Sequence, residues 1–204
     1  MTRAARLLVV LAVVAFAGCT VSISGGTPDT TLSETPVSTP PNGSTNLTVP
    51  GAEHVSVEVT RVVDGDTIDV RMPDESEDTV RLIGVDTPEV YVENDPAEFE
   101  GVPDTEAGAT CLREEGHDAS AYLENRLAGQ NVTLVFDPNT DRRGGYGRLL
   151  AYVYVGEQNV NYELVWTGNA RVYDTDFVLR DAFDSAEMDA RNAQRGVWTC
   201  QTAG

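Results

Sequence analysis

Three short segments carry the residues able to do chemistry: Asp64-Gly65-Asp66-Thr67, then Arg81 with Asp86-Thr87-Pro88-Glu89, then Tyr146-Gly147-Arg148. Carboxylates and backbone carbonyls are the donors a hard cation takes, and calcium in particular accepts water in the rest of its shell. Arginine offers a planar, permanently charged fork that matches a phosphate. A carboxylate beside a bound water can take its proton. Asp66, Asp86, Glu89, Arg81 and Arg148 are therefore the parts needed to open a phosphodiester. Each motif alone is ordinary, because Asp-Gly-Asp and Asp-Thr-Pro are common turn sequences. Either arginine alone reads as a strand-edge charge paired with a surface acid. Their joint occurrence is what gives them weight. The two histidines, His54 and His117, fall outside these segments, so a histidine mechanism or a His-rich metal site has no support.

The elements that must position these residues follow from periodicity. Val55, Val57 and Val59 alternate with polar neighbours, which predicts a half-buried strand over 54–63. Strands over 67–72 and 79–85 continue a meander, joined by an acidic turn at 73–78. Residues 91–110 have no periodicity and read as a loop rich in acids: Glu93, Asp95, Glu98, Glu100, Asp104 and Glu106. Helical spacing follows at 117–127, then strands at 132–136 and 149–155 around a loop carrying Asp141 to Arg148. Helices over 159–166 and 177–194 complete the pattern, with Trp166, Trp198 and Phe183 as core anchors. Arg142 and Arg143 read as solvated loop charges, with a wider phosphate-binding surface as the alternative. Five short strands with helices argue for an α+β domain built on a small barrel of the oligonucleotide-binding type.

The three segments in this order resemble the staphylococcal nuclease (thermonuclease-like) family over roughly residues 54–198. The resemblance implies a five-stranded OB-type barrel with three helices. It implies Ca²⁺ held by Asp66, Asp86 and the carbonyl of Thr87, with Asp64 close by. It implies Glu89 orienting or deprotonating the attacking water, Arg81 and Arg148 clamping the phosphate, and Tyr146 contacting a sugar or base. The activity implied is calcium-dependent hydrolysis of DNA and RNA, on single-stranded or frayed regions, leaving 3′-phosphate ends. Past Tyr173 the chain reads Asp174-Thr175-Asp176 where the family often presents aromatics, which leaves base preference open. A non-catalytic, surface-anchored barrel that only binds nucleic acid or another ligand is the rival reading.

The N-terminus places this domain outside the cell. Arg3 and Arg6 precede a short apolar run over 7–16 that ends in Ala17-Gly18-Cys19, a signal peptide over 1–18 rather than a membrane span. Phe16-Ala17-Gly18-Cys19 resembles a lipoprotein box, so Cys19 is the expected lipidation site and membrane anchor, with plain secretion as the alternative. Residues 19–52 are rich in Ser, Thr, Pro and Gly and read as a disordered tether. It bears sequons at Asn42 and Asn46. A domain over 53–200, expected to be a monomer, and a tail over 201–204 follow. Cys111 and Cys200 remain, an even number in an exported chain, and read as one disulfide. The 204 residues carry a formal charge of −19 and no lysine. An acidic surface spread through the domain suits concentrated salt, where exposed charge is screened.

Overall fold

The computed structural model describes residues 47–203. The signal peptide, Cys19 and the tether up to residue 46 lie outside the described residues, as does Gly204. The elements run β1 (His54–Val62), β2 (Thr67–Arg71), β3 (Glu77–Leu82), β4 (Val85–Asp86), α1 (Glu106–Leu127), β5 (Asn131–Val135), β6 (Leu149–Val155), β7 (Gln158–Asn159), α2 (Val160–Thr167), β8 (Arg171–Val172) and α3 (Arg180–Asn192). Two 3-10 turns, Pro96–Glu98 and Gly196–Thr202, stand outside this series.

Strand β1 buries Val57 and Val59 and exposes Ser56, Glu58 and Thr60, as its alternation requires. Its register shifts between Val59 and Arg61, a bulge that bends the strand. The first half then pairs with β5 and the second with β2. Strand β6 pairs antiparallel with β5 and parallel with β3, closing β3-β2-β1-β5-β6 into a five-stranded barrel. With α1, α2 and α3 against it, this is the α+β, OB-type fold the sequence predicts. The closing pair matters for the chemistry: Val80 lies opposite Leu149 and Arg81 opposite Leu150. Arg148, the residue just before β6, is thereby delivered to the strand that carries Arg81.

The helices seal the barrel. Helix α2 is buried almost all round, from Val160 to Trp166. Within it the Asn161 side chain accepts from Val153 N–H at 2.9 Å and donates to the carbonyls of Ile83 and Ala151 at 2.9 and 3.2 Å. Its amide thus ties β6 to the turn after β3 inside the core, with each of these bonds made to a backbone group. Phe183 and Trp198 are fully buried and Trp166 nearly so. Phe183 packs edge-on against Tyr152, Tyr162 and Phe177 at centroid separations of 5.2–6.2 Å.

Two expectations change. The segment 91–110 is not a loop throughout: α1 begins at Glu106, with the Thr105 hydroxyl accepting from Gly108 N–H at 3.2 Å. The helix is twice the expected length. Its buried stripe is Gly108, Leu112, Gly116, Ala119, Leu123 and Leu127, and its first half contains glycines where an apolar period would show. Cys111 accordingly lies on α1. Cys111 and Cys200 are joined at an S–S distance of 2.04 Å, beside a small second core of Phe99, Val102, Leu112, Ala190, Val197 and Trp198.

Candidate active site

The hairpin between β1 and β2 turns at Asp64-Gly65, where the Asp64 carboxylate accepts from Asp66 N–H at 3.1 Å. A side chain at Gly65 would meet the Thr87 hydroxyl at 2.7 Å, so only glycine allows the two segments to approach this closely. Across that contact the Thr87 N–H and hydroxyl both donate to Oδ2 of Asp66, at 3.2 Å each. Oδ1 of Asp66 accepts from the Thr67 hydroxyl at 3.0 Å. Asp66 and Thr87 are both buried.

Arg81 is the hub. Its Nη1 lies 3.0 Å from Oδ2 of Asp66 and its Nη2 2.9 Å from Oδ1 of Asp86. Nη1 also donates to the carbonyls of Val85 and Leu82, at 2.8 and 3.3 Å. One guanidinium thus gathers two of the expected metal-binding carboxylates. The other oxygen of Asp86 is held by Arg171 at 2.6 Å, from the strand paired with β4. Gly84, with φ at 76°, makes the turn that sets β4 against β8.

Glu89 stands exposed at the edge of the same cleft. Partial burial, then the nearby Asp64 and Asp86 carboxylates, push its carboxyl above the usual range. Its backbone is pinned by Asn94, which accepts from Glu89 N–H at 2.7 Å and donates to Glu89 C=O at 2.9 Å. Asp66 is pushed up to about 7 by burial, against the pull of Arg81.

Arg148 completes the wall. It donates to the Thr67 hydroxyl at 3.3 Å, and its guanidinium carbon lies 5.7 Å from the ring centre of Tyr146. Among the described residues it makes no ion pair, unlike Arg81 and Arg143 in the same cleft. Tyr146 is 91% exposed. Asp64, Asp66, Arg81, Asp86, Thr87, Glu89, Tyr146 and Arg148 all line one cleft of about 650 Å³. Tyr173, Thr175 and Asp176 form part of its wall.

A calcium ion fits this donor set. Among the described residues no group of three or more His, Cys, Asp or Glu is close enough together to hold a metal. Two carboxylates, Asp66 and Asp86, gathered on the Arg81 guanidinium, are what the protein supplies, and Thr87 touches Asp66 through its N–H and hydroxyl. An all-oxygen set completed by water suits calcium.

Sequence reasoning missed Arg171 and Asn94. Neither lies in a motif: Arg171 reaches Asp86 only through the β4–β8 pair, and Asn94 reads as a loop residue. Arg142 and Arg143 are paired with Glu53 and Asp78, at 2.6 Å each, rather than open for phosphate.

Comparison with known proteins agrees with this geometry. Residues 79–200 match the family described as staphylococcal nuclease homologue. The match begins after Asp64–Thr67, which the fold brings to Asp86. An uncharacterized protein of Methanocaldococcus jannaschii is 38% identical over 153 residues, covering 72% of each chain. A thermonuclease of Staphylococcus hyicus is 31% identical over 150 residues, covering 72% of this chain and 78% of its own. Endonuclease YncB of Bacillus subtilis is 35% identical over 148 residues, covering 71% of this chain and 62% of its own. With the family pattern spanning residues 79–200 and a thermonuclease aligned along most of its length, this chain belongs to the staphylococcal nuclease homologue family.

Proposed function

We propose that the chain is an exported, calcium-dependent nuclease that hydrolyses phosphodiester bonds of DNA and RNA, acting on single-stranded or frayed regions and leaving 3′-phosphate ends. One arrangement carries the reading: Arg81 gathers Asp66 and Asp86 in a cleft that Arg148 also lines, and among the described residues Arg148 has no carboxylate partner. An arginine kept free beside paired ones is available to an anionic substrate. The relatives named thermonuclease and endonuclease support the same class of reaction.

The residues divide the work as follows. Glu89, at the cleft edge, accepts the proton of the attacking water, and its raised carboxyl strengthens it as a base. The water oxygen forms a bond to phosphorus as the bond to the 5′ oxygen breaks, and that oxygen takes its proton from solvent water. Arg148 holds the non-bridging oxygens, where charge builds in the transition state, and Arg81, with its terminal nitrogens on Asp66 and Asp86, adds its positive charge to the same cleft. Tyr146 offers an exposed ring to the adjoining sugar or base. Calcium bound by Asp66, Asp86 and the Thr87 carbonyl would polarise the phosphate as a Lewis acid.

The location belongs to the same proposal. Cys19 anchors the mature chain by lipid to the outer face of the membrane, and the tether lifts a monomeric domain into a saline medium. Purified protein is assayed on single-stranded DNA in concentrated salt, with calcium and then with chelator, beside Glu89→Gln and Arg148→Ala. Chelator-sensitive cleavage lost in both variants supports the nuclease. Folded protein without cleavage in any calcium or salt condition moves the chain to the binding-module class.

A further inference from the structure

Immediately beyond Glu89 the chain does something the catalytic scheme does not use. Tyr91 is 77% exposed and Val92 57%, an apolar pair in a strongly acidic domain. The Tyr91 ring is not a loose surface side chain. Its hydroxyl donates to the carbonyl of Val63 at 3.2 Å, on the β1 arm of the hairpin that carries Asp64 and Asp66. Its backbone belongs to the short loop closed by buried Asn94, which bonds both the N–H and the C=O of Glu89. The loop is held again from below, because a side chain at Gly116 of α1 would strike the Pro88 carbonyl at 2.5 Å. A rigid aromatic face is therefore presented beside the cleft, two residues from the proton acceptor.

Its surroundings decide what it can hold. Glu89 and Glu93 lie two positions to either side of it in the chain and Asp64 follows the Val63 that it bonds, so negative charge around it disfavours a phosphate. An uncharged base is not disfavoured, and every base offers a face that stacks on an aromatic ring. The position is separate from Tyr146, which stands by Arg148 in the loop before β6, where Arg148 bonds Thr67 at the start of β2. We propose that Tyr91 is a base-stacking contact for a nucleotide outside the catalytic cleft, a substrate-binding site that rests on the nuclease reading above. A strand passing over the cleft is then gripped by a phosphate clamp at Arg148 and by a neutral stack at Tyr91. Stacking carries no counterion-release penalty, so this grip survives the salt that weakens phosphate contacts.

The test uses the full chain, its Tyr91→Ala and Tyr91→Phe variants, and two substrates, a dinucleotide and a single-stranded dodecadeoxynucleotide. In parallel, binding of the fluorescein-labelled dodecamer is measured in the Glu89→Gln background of each. Removing the ring is expected to raise the ratio of dodecamer KM to dinucleotide KM about tenfold and to weaken dodecamer binding by about the same factor. Tyr91→Phe keeps the ring and is expected to stay within about twofold of the parent. An unchanged KM ratio with unchanged binding overturns the proposal, as does an equal rise on both substrates, which would place Tyr91 in Glu89 positioning instead. If the parent cleaves neither substrate, the nuclease reading fails; Tyr91-dependent binding would still uphold the stacking site, and binding indifferent to Tyr91 would remove it as well.

Discussion

Thr87 gives both its N–H and its hydroxyl to a single oxygen of Asp66, 21 residues away in sequence. This double bond of donors fixes the orientation of a buried carboxylate and locks the β1–β2 hairpin onto the turn carrying Asp86 and Glu89. It is possible only because Gly65 leaves room for it. Gly65→Ala places a methyl group against the Thr87 hydroxyl at 2.7 Å, so one segment must shift. Activity is expected to fall by about two orders of magnitude, since misplacement of about 1 Å can cost that much. Circular dichroism should still report a folded barrel. Full activity in this variant would refute the locking role.

Glu89→Gln keeps size and backbone but cannot take a proton at neutral pH. The residue is exposed, so stability should change by less than about 0.5 kcal/mol. The expected loss in kcat is about 10²–10⁴-fold with KM little changed. Arg148→Lys keeps charge but loses the fork, and should recover only part of the activity lost in Arg148→Ala. Steady-state kinetics on one oligonucleotide separate the two effects.

Asp66 gives the calcium-free protein a pH signature. Its folded value is raised to about 7 from an ordinary 3.8, so the native state binds its proton more tightly than the unfolded chain does. The stabilisation is complete below about pH 4 and is lost as pH rises through about 7. In chelator, Tm should therefore fall over that window, and Asp66→Asn should flatten the fall. Calcium needs the ionised carboxylate, so its affinity should rise over the same window and binding should release a proton. A Tm that rises with pH equally in both proteins would contradict this assignment.

The disulfide spans 89 residues. Reduction is expected to cost about 2–5 kcal/mol, read as a lower midpoint in urea with and without reductant. The barrel core does not depend on Cys111 or Cys200, and the reduced protein should remain folded at low temperature.

Much of this was legible before any coordinates. Val55, Val57 and Val59 announced β1 because one face of the strand is wet, and the motif at Asp64–Thr67 announced the turn because Asp and Gly are what such a turn demands. Helix α1 was half hidden because Gly108 and Gly116 occupy stripe positions where the neighbouring loop and Pro88 come too close for a side chain. The hub at Arg81 could be named from sequence but not its geometry, since the β3–β6 closure and the β4–β8 pair are long-range contacts. Arg171 stayed invisible for the same reason, since it acts across a two-residue bridge; Asn94 stayed invisible because it acts through the backbone of Glu89, five residues before it, in a stretch with no periodicity.

The bond between Cys111 and Cys200 also turns part of the domain into a covalent ring. Tyr146, Arg148 and Arg171 lie on the ring, whereas Asp66, Arg81, Asp86 and Glu89 lie on the arm that leads into it. The exposed stretch Asp141–Arg143 and Gly145–Gly147 is a loop of the kind that proteases nick. A single cut there opens the ring but releases nothing, and both halves of the cleft stay on one molecule. The domain can thus be nicked in this exposed loop and remain a single covalent species.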